Sequence, residues 1–289
     1  MSQPKENYSA KLRAKSMVYF VICIILTLIC LVPIYILIIN ATRKHVDIIS
    51  SVSFIPGSNL AANVKKLLND PMFQFDPFIG FKNSAIIAVG STVLSVFFSA
   101  LTAYGLVVYD FKLRGPAYTF ILVVMMVPMQ VTSVGFLQFM IKLGLSDSFI
   151  PLIVPTIAAP AIVFFMRQYL KSSFPLDIVE AARIDGCGEF RTFLTIAIPM
   201  MKPAIAVQAI FAFIQNWNNF YQPSMILVSR KFEQITMPMM INMLKSNDKI
   251  ADYGVIYVGI ALSIIPVVVI YLLLSRFIVE GVALGGVKE

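Results

Sequence analysis

Two short stretches concentrate the side chains that could do chemistry. In VEAARIDGCGEF (179–190), Glu180, Arg183, Asp185 and Glu189 fall within a dozen residues, with Arg191 just beyond. Charges so close form ion pairs, with one another or with a second protein, and Glu180 and Arg183 stand at i, i+3. In QNWNNFY (215–221), Gln215 and Asn219 stand at i, i+4, and Asn216 and Asn219 at i, i+3, so several amides share a helical face. Trp217 and Tyr221 add stacking surfaces at i, i+4. Amides both donate and accept, so such a face suits a neutral solute rich in hydroxyls, or else hydrogen bonds between helices. Gln130 follows Pro128-Met129, where a proline kink frees backbone carbonyls beside a polar side chain. That kink is either part of the same path or purely structural.

Other chemistries lack their parts. There is no Gly-Lys-Ser/Thr phosphate loop, so the chain has no ATPase site of its own, and no H-E-x-x-H or Ser/His/Asp set. The only histidine, His45, cannot build a metal site and reads as a solvated loop residue. Cys23 and Cys30 in an apolar run, and Cys187 in the polar insert, form no CxxC and read as small apolar fillers. No metal, cofactor or catalytic residue is expected in this chain.

The elements that carry these residues are membrane helices. Of 289 residues, 58% are hydrophobic and 13% charged, and the mean hydropathy is +0.84. Soluble domains average about 25% charged residues, so an integral membrane protein is expected. The formal charge of +8 sits between apolar runs without an aromatic-interleaved stripe, which excludes nucleic acid as a partner. Crossing a ~30 Å hydrocarbon core takes about 20 apolar residues. Six runs qualify or nearly so: 17–40, 84–109, 117–141, 149–166, 204–221 and 253–275, none holding Asp, Glu, Lys, Arg or His. The first is too long for a signal peptide and reads as an uncleaved anchor. Pumps and secondary carriers usually keep ionisable residues in the membrane; a pore driven by something attached to it fits better.

Placing the N-terminus inside puts thirteen Lys/Arg on inner segments and ten on outer ones. The cluster Lys5, Lys11, Arg13, Lys15 and the tight DFKLRG link favour that orientation, with both termini cytoplasmic. Outer segments 41–83 and 222–252 are long. In the first, Pro56-Gly57 turns the chain, and Ser58 or Asn59 could cap a short amphipathic helix. The domain reading is an N-terminal cytoplasmic segment 1–16, a six-helix transmembrane domain 17–277 with a cytoplasmic loop 171–203, and a cytoplasmic tail 278–289.

That loop predicts a stopped, exposed helix. Ser173 is the expected N-cap, Pro175 and Asp177 suit the first turn, and Gly186 suits a left-handed stop. A second helix is expected from Glu189 to about Ile198, stopped by Pro199. Physics alone leaves open whether this is a solvated connector or a docking surface.

Here the residues carry a resemblance. EAARIDG (180–186) and IAIP (196–199) resemble the EAA loop of ABC importer permeases: EAA, three residues, Gly, nine residues, Ile-x-Leu-Pro. Ile198 stands where leucine is commoner. The likeness extends through TAYGLVVYDFKLRG (102–115), MMVPMQVTS (125–133), FFMRQYLKSSFPLDIVEAARIDG (164–186), QNWNNFYQP (215–223) and VEGVALGGVKE (279–289) to the second permease of the carbohydrate, maltose-type importers. The resemblance implies an all-α polytopic fold of six transmembrane helices with type I importer architecture, in the bacterial plasma membrane. It implies a heterodimer with a second homologous permease, two copies of an ABC ATPase that uses ATP and Mg, and an extracytoplasmic sugar-binding protein. Glu180 would contact a basic residue of the ATPase, with Arg183 beside it, and Ala181, Ala182 and Gly186 would let the helix seat in the ATPase cleft. Glycines 281, 285 and 286 would let the tail extend between the ATPases. The expected function is import of a carbohydrate, an oligosaccharide first, with Gln130, Asn216 and Asn219 as pathway residues. The alternatives are a permease for glycerol-phosphate or another polar solute, and a stand-alone channel or carrier. An anionic solute would need basic residues facing the path, which these spans do not supply.

Overall fold

The computed structural model describes residues 5–229, 231–246 and 252–285. Residues 1–4 of the expected N-terminal segment, Arg230 and Lys249 among the outer charges, and residues 286–289 of the expected tail lie outside the described residues. Every regular element among the described residues is helical. Four stretches are long and apolar enough to cross a membrane: Lys15–Ala41, Pro71–Val108, Ile150–Ser173 and Tyr253–Arg276. Two bent pairs, Arg114–Met125 with Met129–Lys142 at 94° and Glu189–Met200 with Lys202–Trp217 at 80°, bring the count to six when each is one crossing.

Residues 1–75 with 244–262 form one unit. Its first helix, α1 (Lys5–Ala41), exposes nearly all its large apolar side chains from Met17 to Tyr35. A helix apolar on every side suits lipid or another helix, not water. Cys23 and Cys30 lie on this exposed surface, so they fill no core of their own chain. Beyond α1 the chain is tied down by its own carbonyls. Arg43, an expected outer charge, is buried and donates to Ser51 O (2.9 Å) and Asp47 O (2.7 Å). Helix α2 (Leu60–Asn69) starts after Asn59 as expected, but the Asn59 side chain makes no capping bond. Instead Asn63 Nδ2 donates to Ala41 O and Arg43 O, both at 2.9 Å. His45 is not a solvated loop residue: it opens the helix His45–Ser50, stacks on Tyr253 at 5.2 Å, and its Nδ1 accepts the Tyr253 N–H at 3.0 Å.

Residues 76–243 with 263–289 form the second unit. In order it holds α3 (Pro77–Val108), α4 (Arg114–Met125), α5 (Met129–Lys142), α6 (Pro160–Ser173), α7 (Asp177–Ile184), α8 (Glu189–Thr192), α9 (Lys202–Trp217) and α10 (Tyr221–Ile226). It also holds most of α11 (Met237–Ser246) and the later part of α12 (Tyr253–Gly285). α3 packs against both α6 and α9. Its start is fixed by Asp76, whose Oδ1 accepts Phe78 N (2.9 Å) and Ile79 N (3.3 Å), with Pro77 in the first turn. Along one side run Gly80, Ser84, Ala88, Ser91, Ser95, Ser99 and Ala103, all buried at three- or four-residue spacing. Small residues let backbones approach closely, and the hydroxyls bond across helices: Ser91 Oγ donates to Leu152 O at 3.1 Å, and Ser84 Oγ accepts Met237 N–H at 2.8 Å. The far end is closed by Arg114, whose Nε donates to Leu106 O (2.8 Å) and Nη2 to Val107 O (3.1 Å). A cation on the last carbonyls complements the helix dipole.

Proline breaks two of the expected runs. The expected kink at Pro128 is a 94° break between α4 and α5; proline lacks the N–H and pushes the preceding residue out of helix. The run 149–166 divides at Pro151, Pro155 and Pro160 into a one-turn helix Ile150–Ile153, a 3₁₀ turn Val154–Ile157, and α6, which continues to Ser173. Ser173 therefore ends α6 and does not cap α7, whose N-cap position is Leu176; Pro175 lies in the link ahead of it. Pro199 does not stop the second helix either. A π-helical turn, Phe193–Ala197, absorbs the missing N–H, the chain continues as helix Ile198–Met200, and the break comes before α9. At the C-terminus α12 stays helical through Gly281 to Gly285, so the tail does not become extended at those two glycines.

Candidate functional site

The polar insert is a platform on a hydrophobic base. Tyr104, Met166, Leu170, Phe174, Val179 and Phe193 are buried together, joining α3, α6, α7 and the π turn. Tyr104 meets Phe193 at 5.3 Å and Phe174 at 6.2 Å between ring centroids. Helix α7 turns Val179 and Ala182 (i, i+3) inward, both buried. Ala182 thus seats α7 on its own chain and is not open to a partner, against the expectation from the resemblance; Ala181 is exposed. α7 ends as expected at Gly186, with φ +74°. Cys187 N–H bonds Ala182 O (2.8 Å) and Gly186 N–H bonds Arg183 O (3.0 Å), the paired closure of a Schellman turn.

The charges are not arranged as their spacing suggested. Arg183 does not pair with Glu180. It reaches across the Gly186–Gly188 turn to Glu189, with Nε on Oε1 at 2.7 Å and Nη2 on Oε2 at 3.2 Å. The Tyr109 hydroxyl donates to Glu189 Oε2 at 2.7 Å. The fork geometry of a guanidinium matches a carboxylate and outcompetes the looser i, i+3 pair. Arg183 holds the Glu189 carboxyl below its ordinary range, Tyr109 adding to this. Glu189 in turn raises the Arg183 guanidinium above its already high value. Burial first, then the bond to Glu189, pushes the Tyr109 phenol up to about 12. Glu180 is exposed and forms no ion pair among the described residues. Ile184, one turn on, is 87% exposed. Tyr109 and Ile184 escaped sequence reasoning. An apolar residue on the polar side of a short helix was the available signal for Ile184; none existed for Tyr109, eighty residues from its partner.

The second site is a cavity of about 460 Å³ walled by α5, the proline-broken segment before α6, α9 and α10. Its polar lining comprises Ser95, Thr132, Ser133, Thr156, Gln215, Asn216, Asn219 and Gln222, and no charged side chain lines it. Asn216 gives its Nδ2 to Ala212 O at 2.8 Å, leaving Oδ1 to accept. Asn219 and Gln222 orient each other: Asn219 Nδ2 donates to Gln222 Oε1 (2.7 Å), and Asn219 Oδ1 accepts Gln222 N–H (3.2 Å). Gln222, not singled out from the sequence, therefore belongs with the amides. Gln130 is exposed and outside this lining; its carbonyl accepts Ser133 Oγ at 2.7 Å. Nor does Trp217 offer a stacking surface. It is 2% exposed, between Phe81 and Phe213, with Nε1 donating to Ser263 O at 2.9 Å. Trp217 and Tyr221 do not share a helical face, because α9 ends at Trp217. Tyr221 begins α10, where its hydroxyl meets Ser133 Oγ at 2.9 Å.

Comparison with known proteins agrees with this architecture. The family described as "Binding-protein-dependent transport system inner membrane component" matches residues 95–283. The chain is 35% identical over 268 residues to the arabinooligosaccharides transport system permease protein AraQ of Bacillus subtilis, covering 91% of this chain and 92% of that one. It is 33% identical over 215 residues to the lactose transport system permease protein LacG of Rhizobium radiobacter, covering 74% and 77%. Its fold matches a chain from the crystal structure of a bacterial ABC transporter involved in import of the acidic polysaccharide alginate. The TM-score is 0.70, at 22% identity over 96% of this chain and 98% of that one. With its apolar helices and this match over most of its length, the chain belongs to the binding-protein-dependent transport system inner membrane components, as a multi-pass ABC permease of the bacterial plasma membrane.

Proposed function

We propose that this permease passes a neutral carbohydrate, an oligosaccharide first, into the cytoplasm after delivery by an extracytoplasmic solute-binding protein. The observation that carries this reading is the cavity bounded by amides, hydroxyls and apolar surface without an ionised group. Hydroxyls need donors and acceptors in reach, and a neutral solute needs no counter-ion. An anionic solute moved through the same walls would leave its charge unpaired in a poorly solvated space. The names of the oligosaccharide and lactose relatives point the same way.

The driving force comes from outside the chain. A second, related permease completes the pathway, and the pair sits on two ATPase subunits using ATP and Mg, one of them seated against α7. Glu180, in no ion pair among the described residues, offers a carboxylate and Ile184 an apolar knob to the same partner, one turn apart. When the ATPases close on ATP, α7 moves with them and the pathway opens outward; hydrolysis and product release reset it. Reconstitution of the chain with a partner permease, an ATPase and a sugar-loaded binding protein tests this. Binding-protein-stimulated ATP hydrolysis and oligosaccharide uptake are expected together. Uptake by this chain alone, with no ATPase present, would overturn the reading.

A further inference from the structure

We propose that Glu189 is the positioning residue that passes movement of α7 to the end of α3, with Arg183 and Tyr109 as its two holders. The inference rests on the reading of α7 as the ATPase-docking helix. Three elements meet at this one carboxylate. Arg183 belongs to the last turn of α7, Glu189 is the first residue of α8, and Tyr109 is the residue on which α3 ends. Both carboxylate oxygens are engaged, at 2.7 and 3.2 Å by Arg183 and at 2.7 Å by Tyr109. The guanidinium also lies 5.8 Å from the Tyr109 ring, and that ring meets the buried Tyr104 edge-on at 6.1 Å.

The side chains of Arg183 and Glu189 are 41% and 46% exposed. Ion pairs that open to solvent add little to stability, so holding the fold together is a poor account of this one. Direction is a better account. Val179 and Ala182 rest α7 on apolar neighbours, and such contacts resist lifting but permit sliding and rotation. A two-toothed fork fixes orientation as well as distance. α3 packs on both α6 and α9, and α9 carries Gln215 and Asn216 of the cavity wall. A shift of α7 tied to α3 therefore reaches the pathway wall, and an untied one is spent as local sliding.

The test uses the whole reconstituted importer and reads solute moved per ATP hydrolysed. Tyr109→Phe removes one hydroxyl and keeps the ring; Glu189→Gln keeps the shape and removes the charge. Both are expected to co-purify with the ATPase as the wild type does and to hydrolyse ATP, while solute per ATP falls roughly fivefold, the worth of one ordinary hydrogen bond. The exchange Arg183→Glu with Glu189→Arg is expected to recover part of the ratio lost in either single change. An unchanged ratio in Tyr109→Phe and Glu189→Gln, with ATPase attached, overturns the proposal. Loss of ATPase attachment in Tyr109→Phe overturns it too, since the group would then belong to the docking surface. Should wild-type chain fail to retain an ATPase at all, the docking reading of α7 falls first, a distinguishable result.

Discussion

Glu180 and Arg183 stand one helical turn apart, and among the described residues Arg183 forms an ion pair while Glu180 forms none. In the proposed docking, that difference makes Glu180 the carboxylate offered to a cation of the ATPase. Glu180→Lys is expected to lower ATPase retention on the order of tenfold or more, with membrane insertion unchanged; co-purification from detergent and membrane fractionation check the two halves. Tyr109 gives a prediction in pH. Its folded pKa is raised from 10.0 to about 12, so its share of stability is fully present below pH ~10 and lost as pH rises from there through about 12. The tyrosinate absorbance difference between wild type and Tyr109→Phe should therefore step near the upper value. A step near the ordinary one would show the phenol to be solvated. At the acid end the sign reverses. Glu189 is held low by Arg183 first and Tyr109 second, so its contribution is present above the ordinary carboxylate range and lost as pH falls through its depressed value.

At the scale of the element, the end of α7 depends on one backbone conformation. Gly186 at φ +74° is disfavoured for a residue with a Cβ by roughly 1–2 kcal/mol, and asparagine tolerates it better than most. Gly186→Ala is expected to lower the thermal midpoint in detergent, and Gly186→Asn to lower it less; equal effects would mean the turn relaxes. This stop was legible in the sequence because glycine at a helix end has a local cause. So were the membrane runs and the amide cluster, since apolar length and residue type are properties of short windows. What was not legible depends on distance or on breaks. Pro151, Pro155 and Pro160 divide a run that hydropathy reads as continuous. The end of α9 at Trp217 separates residues that i, i+4 counting had put on one face. Arg183 chose Glu189 across a turn over Glu180 within its helix, because fork geometry outweighed proximity in sequence. Tyr109 and Gln222 acquire their roles only through contacts made in the folded chain.

For the whole molecule the orientation in the membrane is the property most open to test. The proposed orientation, argued from the basic residues at the N-terminus, puts α7 and its turn on the cytoplasmic side. Cys187 lies in that turn, half-buried, and the other cysteines are Cys23 and Cys30 on α1. In a Cys23→Ser, Cys30→Ser chain, a membrane-impermeant maleimide should label Cys187 in inside-out vesicles and leave it unlabelled in spheroplasts. Labelling from the outside would invert the topology and remove α7 from the reach of a cytoplasmic ATPase. Trp217 has a consequence of its own at this scale. It is the only tryptophan of the chain, closed in by two phenylalanines and set at the residue where α9 gives way to Asn218 and the cavity amides. The chain therefore carries a single indole in an apolar cage, and under excitation that spares the tyrosines its emission colour and resistance to aqueous quenchers would register any rearrangement at the mouth of α9 without an added label.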